Sequence, residues 1–162
     1  MKKYRIEIKW ALLFSVMGLA WMLLEKVSGL HDRYLDYQLY LTNIFAIPAI
    51  WLFVLAFKDK KNNFYNGRMS YLQGVKTGLI MTVLIAMLSP LTQWVTSEII
   101  TPNYFANVIV RSVELGYYPD TAAAEAQFNY PSFAKQGVIG ALIMGVITTL
   151  IVMIFVRTKE VK

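Results

Sequence analysis

The chain has 162 residues, of which 57% are hydrophobic and 16% are charged, and its net charge is +6. A soluble domain carries about 25% charged residues, so this composition argues against a water-soluble protein, and the length corresponds to one domain. With no cysteine and one histidine, the sequence excludes disulfides, thiolate metal sites, a cysteine nucleophile and a multi-histidine metal centre.

The first apolar segment is the weakest of four predicted spanning helices. It is free of charge only from Trp10 to Leu24, which is shorter than the roughly 20 residues that a hydrocarbon core requires. We predict that it spans as a helix over residues 8–27, with Lys9 reaching towards one surface and Glu25 lying at the other. A cleaved signal peptide is the alternative, and the lack of a small-x-small cleavage site after Leu24 argues against it.

Three further segments have charge-free runs, at residues 37–57, 77–97 and 136–156. Each run is about as long as a hydrocarbon core requires. We therefore predict spanning helices over residues 37–57, 72–97 and 134–156. The whole chain, residues 1–162, is predicted to be a single integral membrane domain with the fold of an all-α, four-helix transmembrane bundle.

The long connection between the third and fourth spans contains the segment TPNYFANVIVRSVELG. Pro102 suits the first turn of a helix, and Gly116 suits the position after its end. Apolar residues between them recur at helical spacing. This pattern predicts a short amphipathic helix that lies on the outer membrane surface or covers the bundle.

Basic residues gather at three helix ends that a four-span topology brings to one side of the membrane. The positive-inside rule then places both termini in the cytoplasm. Because the charge is shared among separate helix ends, we expect no nucleic-acid partner. Twelve of the 16 basic residues lie on this side: Lys2, Lys3, Arg5, Lys9, Lys58, Lys60, Lys61, Arg68, Lys76, Arg157, Lys159 and Lys162.

Small residues recur at four-residue spacing in the third and fourth spans. Such residues let membrane helices approach each other closely. The two stripes predict either a seam between these spans within one chain, which we favour, or a homodimer seam. The helix-packing residues are Gly74, Gly78, Thr82 and Ala86 in the third span and Gly137, Ala141 and Gly145 in the fourth.

Polar residues and prolines within the spans suggest a second hypothesis. Asn43 and Gln93 lie near Pro48 and Pro90, which each remove a backbone hydrogen bond. Transporters use broken helices to expose backbone groups to a substrate. A polar path near these four residues would make the protein a small transporter or channel component.

Glu25 is the acidic residue of most interest, because the short first span draws it towards the bilayer interior. Ionisable groups at membrane depth indicate function. Its expected partner is Lys26 or Arg33 at the interface. The long charge-free runs contain no ionisable residue, and we expect no other buried acid or base.

The segment HDRYLD places His31, Asp32 and Asp36 close together in sequence. They could weakly hold a divalent ion or form an outer-surface enzyme site, but a solvated loop is favoured because fewer than three ligands are well placed. The chain has no P-loop, nucleophile elbow, HExxH motif or glycine-rich nucleotide turn. We therefore predict no catalytic residue, no metal and no cofactor.

The start of the third span carries the pattern F/Y-x-Q-G-x-K-x-G, followed by an aliphatic run and the Pro-aromatic segment TPNYF. These features resemble the bacterial membrane family catalogued as domain of unknown function 4199, as do the length, the helix layout and the basic end of the last helix. Asn103 stands where the family usually has an acidic residue. The matching residues are Tyr71, Gln73, Gly74, Lys76, Gly78, Pro102, Tyr104 and Phe105.

The resemblance implies an inner-membrane protein of a kind typical of Bacteroidota, and it supplies no catalytic residues. Together with the residues above, it predicts a non-catalytic, multi-pass inner-membrane protein. The protein would act by packing with itself, with lipid or with a larger membrane assembly, and the sequence names no small-molecule substrate.

Overall fold

Long apolar helices form the body of the protein, and the all-α prediction is confirmed. The computed structural model describes residues 4–158, which fold into helices and turns without a strand. A 3₁₀ turn, Thr42–Phe45, joins α2 to α3, and a π-helical segment, Val95–Ile100, extends α4. The α-helices are α1 (Arg5–Val27), α2 (Leu35–Leu41), α3 (Ala46–Asn63), α4 (Tyr71–Trp94), α5 (Tyr104–Glu114), α6 (Thr121–Gln127) and α7 (Tyr130–Val156).

Several helical stretches of the described residues are long and apolar enough to cross a membrane. They are Arg5–Val27, Leu35–Asn63, Tyr71–Ile100 and Tyr130–Val156. Large apolar side chains cover their outer surfaces. Val16, Met87 and Phe155, for example, are 62%, 72% and 79% exposed. Apolar surface this extensive is typical of a protein that faces lipid.

The four long helices pack so that α4 contacts α1 and α7, while α3 contacts the same two helices. The start of α1, the turn between α3 and α4 and the end of α7 meet at one end, which we call the basic end. There, Lys61 Nζ donates to the carbonyl of Val156 at 3.1 Å. Met69 and Thr158 exchange two hydrogen bonds of 2.9 Å. The loop between α1 and α2 lies at the opposite, distal end.

Glycines allow α4 and α7 to approach closely. A Cβ atom at Gly145 would lie 2.5 Å from Oγ1 of Thr82, and one at Gly78 would overlap the side chain of Thr149. A Cβ atom at Gly74 would overlap Met153. These three glycines of the two predicted stripes therefore lie in a seam within one chain, which we call the α4–α7 seam.

Nearby side chains provide hydrogen bonds to backbone groups at the start of α4 and at its proline. Ser70 and Gln73 form a capping box, in which each side chain bonds the backbone N–H of the other. Pro90 cannot donate to the carbonyl of Ala86, and Ser89 Oγ donates to that carbonyl at 3.0 Å instead. This substitution by a neighbouring hydroxyl is how membrane helices tolerate proline.

A buried ion pair joins α1 to α3 at the basic end. Lys60 Nζ lies 2.8 Å from Glu7 Oε1, and the side chains are 3% and 2% exposed. The same ammonium group lies 3.7 Å from the ring centroid of Phe64. Removing one partner of such a pair typically costs about 3–5 kcal/mol, because the other charge remains buried.

The expectation of no buried acid or base besides Glu25 is therefore wrong. It rested on the charge-free runs, but the helices are longer than these runs. Because α1 begins at Arg5 and α3 continues to Asn63, the bundle covers Glu7 and Lys60 at the ends of the helices.

We expect Gly145→Ala to destabilise the protein by about 1–3 kcal/mol, the usual range for overpacking, because Thr82 leaves no room for a methyl group. Gly140→Ala is the matched control in the same helix, since nothing lies within 4 Å of a Cβ atom there. Thermal unfolding in mild detergent measures both variants. Equal melting temperatures for the two variants would rule out a tight α4–α7 seam.

Candidate functional site

Two adjoining cavities occupy the distal half of the bundle. The first, the core cavity, has a volume of about 470 Å³ and is lined by α1, α3, α4 and α7. The second, the vestibule, has a volume of about 750 Å³ and lies among α2, α5 and the start of α7. Both volumes fall in the range of about 300–1,000 Å³ that is typical of ligand pockets. The cavities share the lining residues Met22, Thr42, Gln93 and Thr96.

Glycines on facing helices create the core cavity. Nothing lies within 4 Å of a Cβ atom built on Gly18 of α1 or on Gly140 of α7. At Gly137, the nearest atom is Ser89 Oγ at 3.7 Å. The space therefore exists where larger side chains would otherwise stand. In α7, Gly145 allows close contact with Thr82 of α4, whereas the space beside Gly140 belongs to the core cavity.

The core cavity has mainly apolar walls. Phe14, Leu19 and Phe53 are among the side chains that line it. Asn43 and Gln93 also line it, but the amide nitrogen of Asn43 donates to the carbonyl of Leu39 at 2.6 Å within its own helical segment. Such walls favour an apolar chain over a polar solute.

The predicted polar path is only partly assembled. Asn43 and Gln93 line the core cavity, and Gln93 Nε2 donates to Ser97 Oγ at 3.0 Å. Pro48 falls in the first turn of α3, where its missing N–H has little effect. The carbonyl of Pro90 accepts a hydrogen bond from the hydroxyl of Tyr130 at 3.2 Å.

Packed side chains occupy the half of the bundle nearer the basic end. The buried cluster begins beside the core cavity, since Phe53 and Ile85 belong to both. From there the cluster continues to the turn between α3 and α4. Its other members are Ala11, Ala56, Phe57, Met69, Met81, Val152 and Met153.

Glu25 is buried beside the vestibule and pairs with His31. Glu25 Oε2 lies 3.1 Å from His31 Nε2, and the two side chains are 1% and 2% exposed. Trp21 Nε1 donates to the other carboxylate oxygen at 2.5 Å. The expected partners were Lys26 or Arg33. The structure differs because the chain folds back after α1, where the N–H of Leu30 donates to the carbonyl of Glu25 at 3.0 Å.

The residues of HDRYLD do not converge on one point. His31 faces Glu25, whereas Asp32 accepts a hydrogen bond from Asn107 Nδ2 at 2.7 Å. Asp36 accepts two from Arg111, from Nε at 2.8 Å and from Nη2 at 2.7 Å. Within residues 4–158, no group of three acidic or histidine side chains is suitably placed for a metal ion.

These contacts hold α5 over the vestibule. The hydrogen bonds with Asp36 raise the pKa of Arg111, and the same guanidinium contacts Glu114 at 3.1 Å. Tyr104 donates its hydroxyl to Gln38 Oε1 at 2.9 Å. Burial raises the pKa of Tyr104, so its phenol stays protonated and remains a donor. These contacts join α5 to α2 and to the loop before α2.

Glu7, Lys60 and His31 are the buried ionisable groups that sequence reasoning missed. All three lie near the ends of apolar segments, where Glu7 pairs with Lys60 and His31 pairs with Glu25. The one available signal was local: a lone histidine follows Glu25 by six residues at the end of a spanning helix.

Comparisons with known proteins place the chain in a family. The family model described as "Protein of unknown function (DUF4199)" matches residues 9–158. No curated protein and no solved structure matches the chain. The family match covers nearly the whole chain, and it confirms the resemblance carried by the third span and TPNYF. The chain belongs to the DUF4199 family of proteins of unknown function.

Proposed function

We propose that this protein is a non-catalytic, multi-pass membrane protein that holds an apolar or amphipathic molecule of the bilayer between its helices. The core cavity carries this proposal. Mainly apolar walls from four helices border a space of ligand size, about 470 Å³, in a protein whose outer surface is itself apolar. Lipid is therefore favoured over self-association or a larger assembly as the partner.

The packing of the predicted glycine stripes supports lipid as the partner. Gly74, Gly78 and Gly145 already form close contacts between α4 and α7 of the same chain. A homodimer would need a further close-packing surface. Gly18 and Gly140 face open space, and both of them line the core cavity.

A small transporter or channel component is less well supported. Such a function requires a polar path across the bundle. The core cavity instead ends at the buried cluster, where Phe57, Met81 and Met153 are at most 1% exposed. Asn43 and Gln93 would then shape a binding cavity that opens towards the distal end.

The proposed location is the bacterial inner membrane, crossed four times, with the basic end and both termini in the cytoplasm. Lys61 and Arg68 lie at the basic end together with Arg157 at the end of α7. Basic residues beside spanning helices are retained on the cytoplasmic side.

The absence of native cysteine allows a direct test of this topology. We expect a membrane-impermeant maleimide to label Glu125→Cys in intact spheroplasts and to label Asn62→Cys only after permeabilisation. Both positions are exposed in the structure. The reverse labelling pattern would contradict the proposed orientation, and labelling of both variants in intact cells would contradict the four-span arrangement.

Filling the core cavity tests the proposed function itself. We expect Gly18→Leu and Gly140→Leu to reduce the apolar material that copurifies with the protein roughly tenfold, equivalent to about 1.4 kcal/mol. The new side chains would occupy the cavity without a clash at Cβ. Native mass spectrometry from mild detergent measures the bound molecules.

Ala20→Leu is the matched control, because Ala20 lies on α1 near Gly18 but is exposed on the outer surface. It should retain the bound material at the wild-type level. Equal retention in all four proteins would show that the molecules bind outside the core cavity, and the proposal would be abandoned.

A further inference from the structure

We propose that the vestibule binds the polar head of the same ligand, and that this head is uncharged and presents a carbonyl oxygen to His31 Nδ1. The inference rests on the proposed function, because the tail of the ligand would occupy the core cavity. It also specifies the chemical class of the ligand's head group and its orientation, with the head in the vestibule and the tail in the core cavity.

The unpaired nitrogen of His31 is the observation that points to a ligand. His31 lines the vestibule and is 2% exposed. Its Nε2 is engaged by Glu25, whereas its Nδ1 has no hydrogen-bond partner. A buried polar atom without a partner costs about 1–3 kcal/mol, so a bound group that satisfies Nδ1 would recover this free energy.

The pairing with Glu25 determines what kind of group Nδ1 requires. Burial strongly favours states of the pair without net charge. In one such state, the ionised carboxylate accepts from Nε2 of a protonated imidazole. In the other, a protonated Glu25 donates to Nε2 of a neutral imidazole. Both states place a proton on Nδ1. The arrangement that would leave Nδ1 unprotonated, an ionised Glu25 beside a neutral imidazole with Nε2–H, would bury a net negative charge. His31 therefore needs an acceptor, such as a carbonyl oxygen.

The vestibule offers little to a charged head. Among its described lining residues, Asp36 and Arg111 are the ionised side chains besides His31, whose pair with Glu25 carries no net charge in either state. They neutralise each other through two hydrogen bonds, and Arg111 also contacts Glu114. An anionic head would have to break this paired arrangement, whereas an uncharged head leaves it intact.

The two cavities adjoin each other, as such a ligand requires. Their shared residues, Thr42, Gln93 and Thr96 among them, place the head and tail regions side by side. The ring of Tyr104 stands 5.1 Å from the imidazole of His31, and Phe133 lies 6.2 Å from Tyr104. These aromatic walls suit the apolar part of a small head group next to its carbonyl.

The experiment compares probes that share a tail and differ in the head. The full chain in nanodiscs is titrated with methyl oleate, which has an uncharged ester carbonyl, with oleate, which is anionic, and with octadecene, which has no polar head. A quinone that carries an eighteen-carbon tail provides a second source of an uncharged carbonyl. Native mass spectrometry measures the equilibrium occupancy of each probe.

Two variants separate the effect of the His31 imidazole on binding from the effect of the buried Glu25 carboxylate. The double variant Glu25→Gln/His31→Phe contains neither the carboxylate nor the ring nitrogen. Glu25→Gln alone is its matched control, because a glutamine amide can donate to His31 Nε2 and leave the proton on Nδ1. Comparing these two variants avoids the uncompensated buried carboxylate that His31→Phe alone would leave.

We expect the wild type and Glu25→Gln to bind methyl oleate or the quinone roughly tenfold more tightly than octadecene, equivalent to about 1.4 kcal/mol. Oleate should show no such gain. The double variant should bind the methyl oleate and octadecene probes equally. The tighter of the two carbonyl probes identifies the source of the head group.

A double variant that keeps the preference for carbonyl probes would overturn the role of His31, as would a wild type that prefers oleate. The proposed function fails separately. If Gly18→Leu leaves octadecene binding unchanged, the core cavity is not the tail site. If Gly18→Leu abolishes tail binding while all heads bind alike, only the assignment of the head group is wrong.

Discussion

The close approach of α4 and α7 is the contact on which the rest of the bundle depends. Inside a bilayer, helices gain little from burying apolar surface against each other, so tight van der Waals packing must hold them together. Gly78 and Gly145 provide it by admitting the side chains of Thr149 and Thr82. With these two helices fixed, α3 packs against both of them, and α1 packs against α4 and α3. Gly140, on the same α7, then faces the core cavity.

Pairing of buried polar groups is the second constraint, and it acts at both ends of the molecule. In apolar surroundings a polar group must find its partner within the protein. At the basic end Glu7 Oε1 pairs with Lys60, and Glu7 Oε2 has no hydrogen-bond partner among the described residues. Glu25 and His31 pair at the distal end, but one imidazole nitrogen remains unsatisfied beside the vestibule. The two ends differ in their surroundings: the Glu7–Lys60 pair is buried among packed helices, whereas the vestibule adjoins His31.

The long helices were predictable because each spanning helix corresponds to one continuous apolar run in the sequence. The two small-residue stripes, one containing Gly78 and the other Gly145, were visible for the same reason. The rotation of α7 about its axis decides which of its glycines contact a neighbouring helix, and no local sequence pattern predicts that rotation. The pairing of Glu7 with Lys60 depends on the register between α1 and α3. Glu25 was recognised as unusual, but its partner His31 follows from a loop that folds back over the helix end.

The α4–α7 seam lies on one side of the bundle and the core cavity on the other. In the proposed complex, one molecule extends from the core cavity into the vestibule. A cryo-electron microscopy map of the wild-type protein in native-lipid nanodiscs tests this most directly. We expect elongated density beside Gly18 and Gly140 that reaches hydrogen-bonding distance of His31 Nδ1. A map in which α1 and α7 close together at these glycines, without such density, would contradict it.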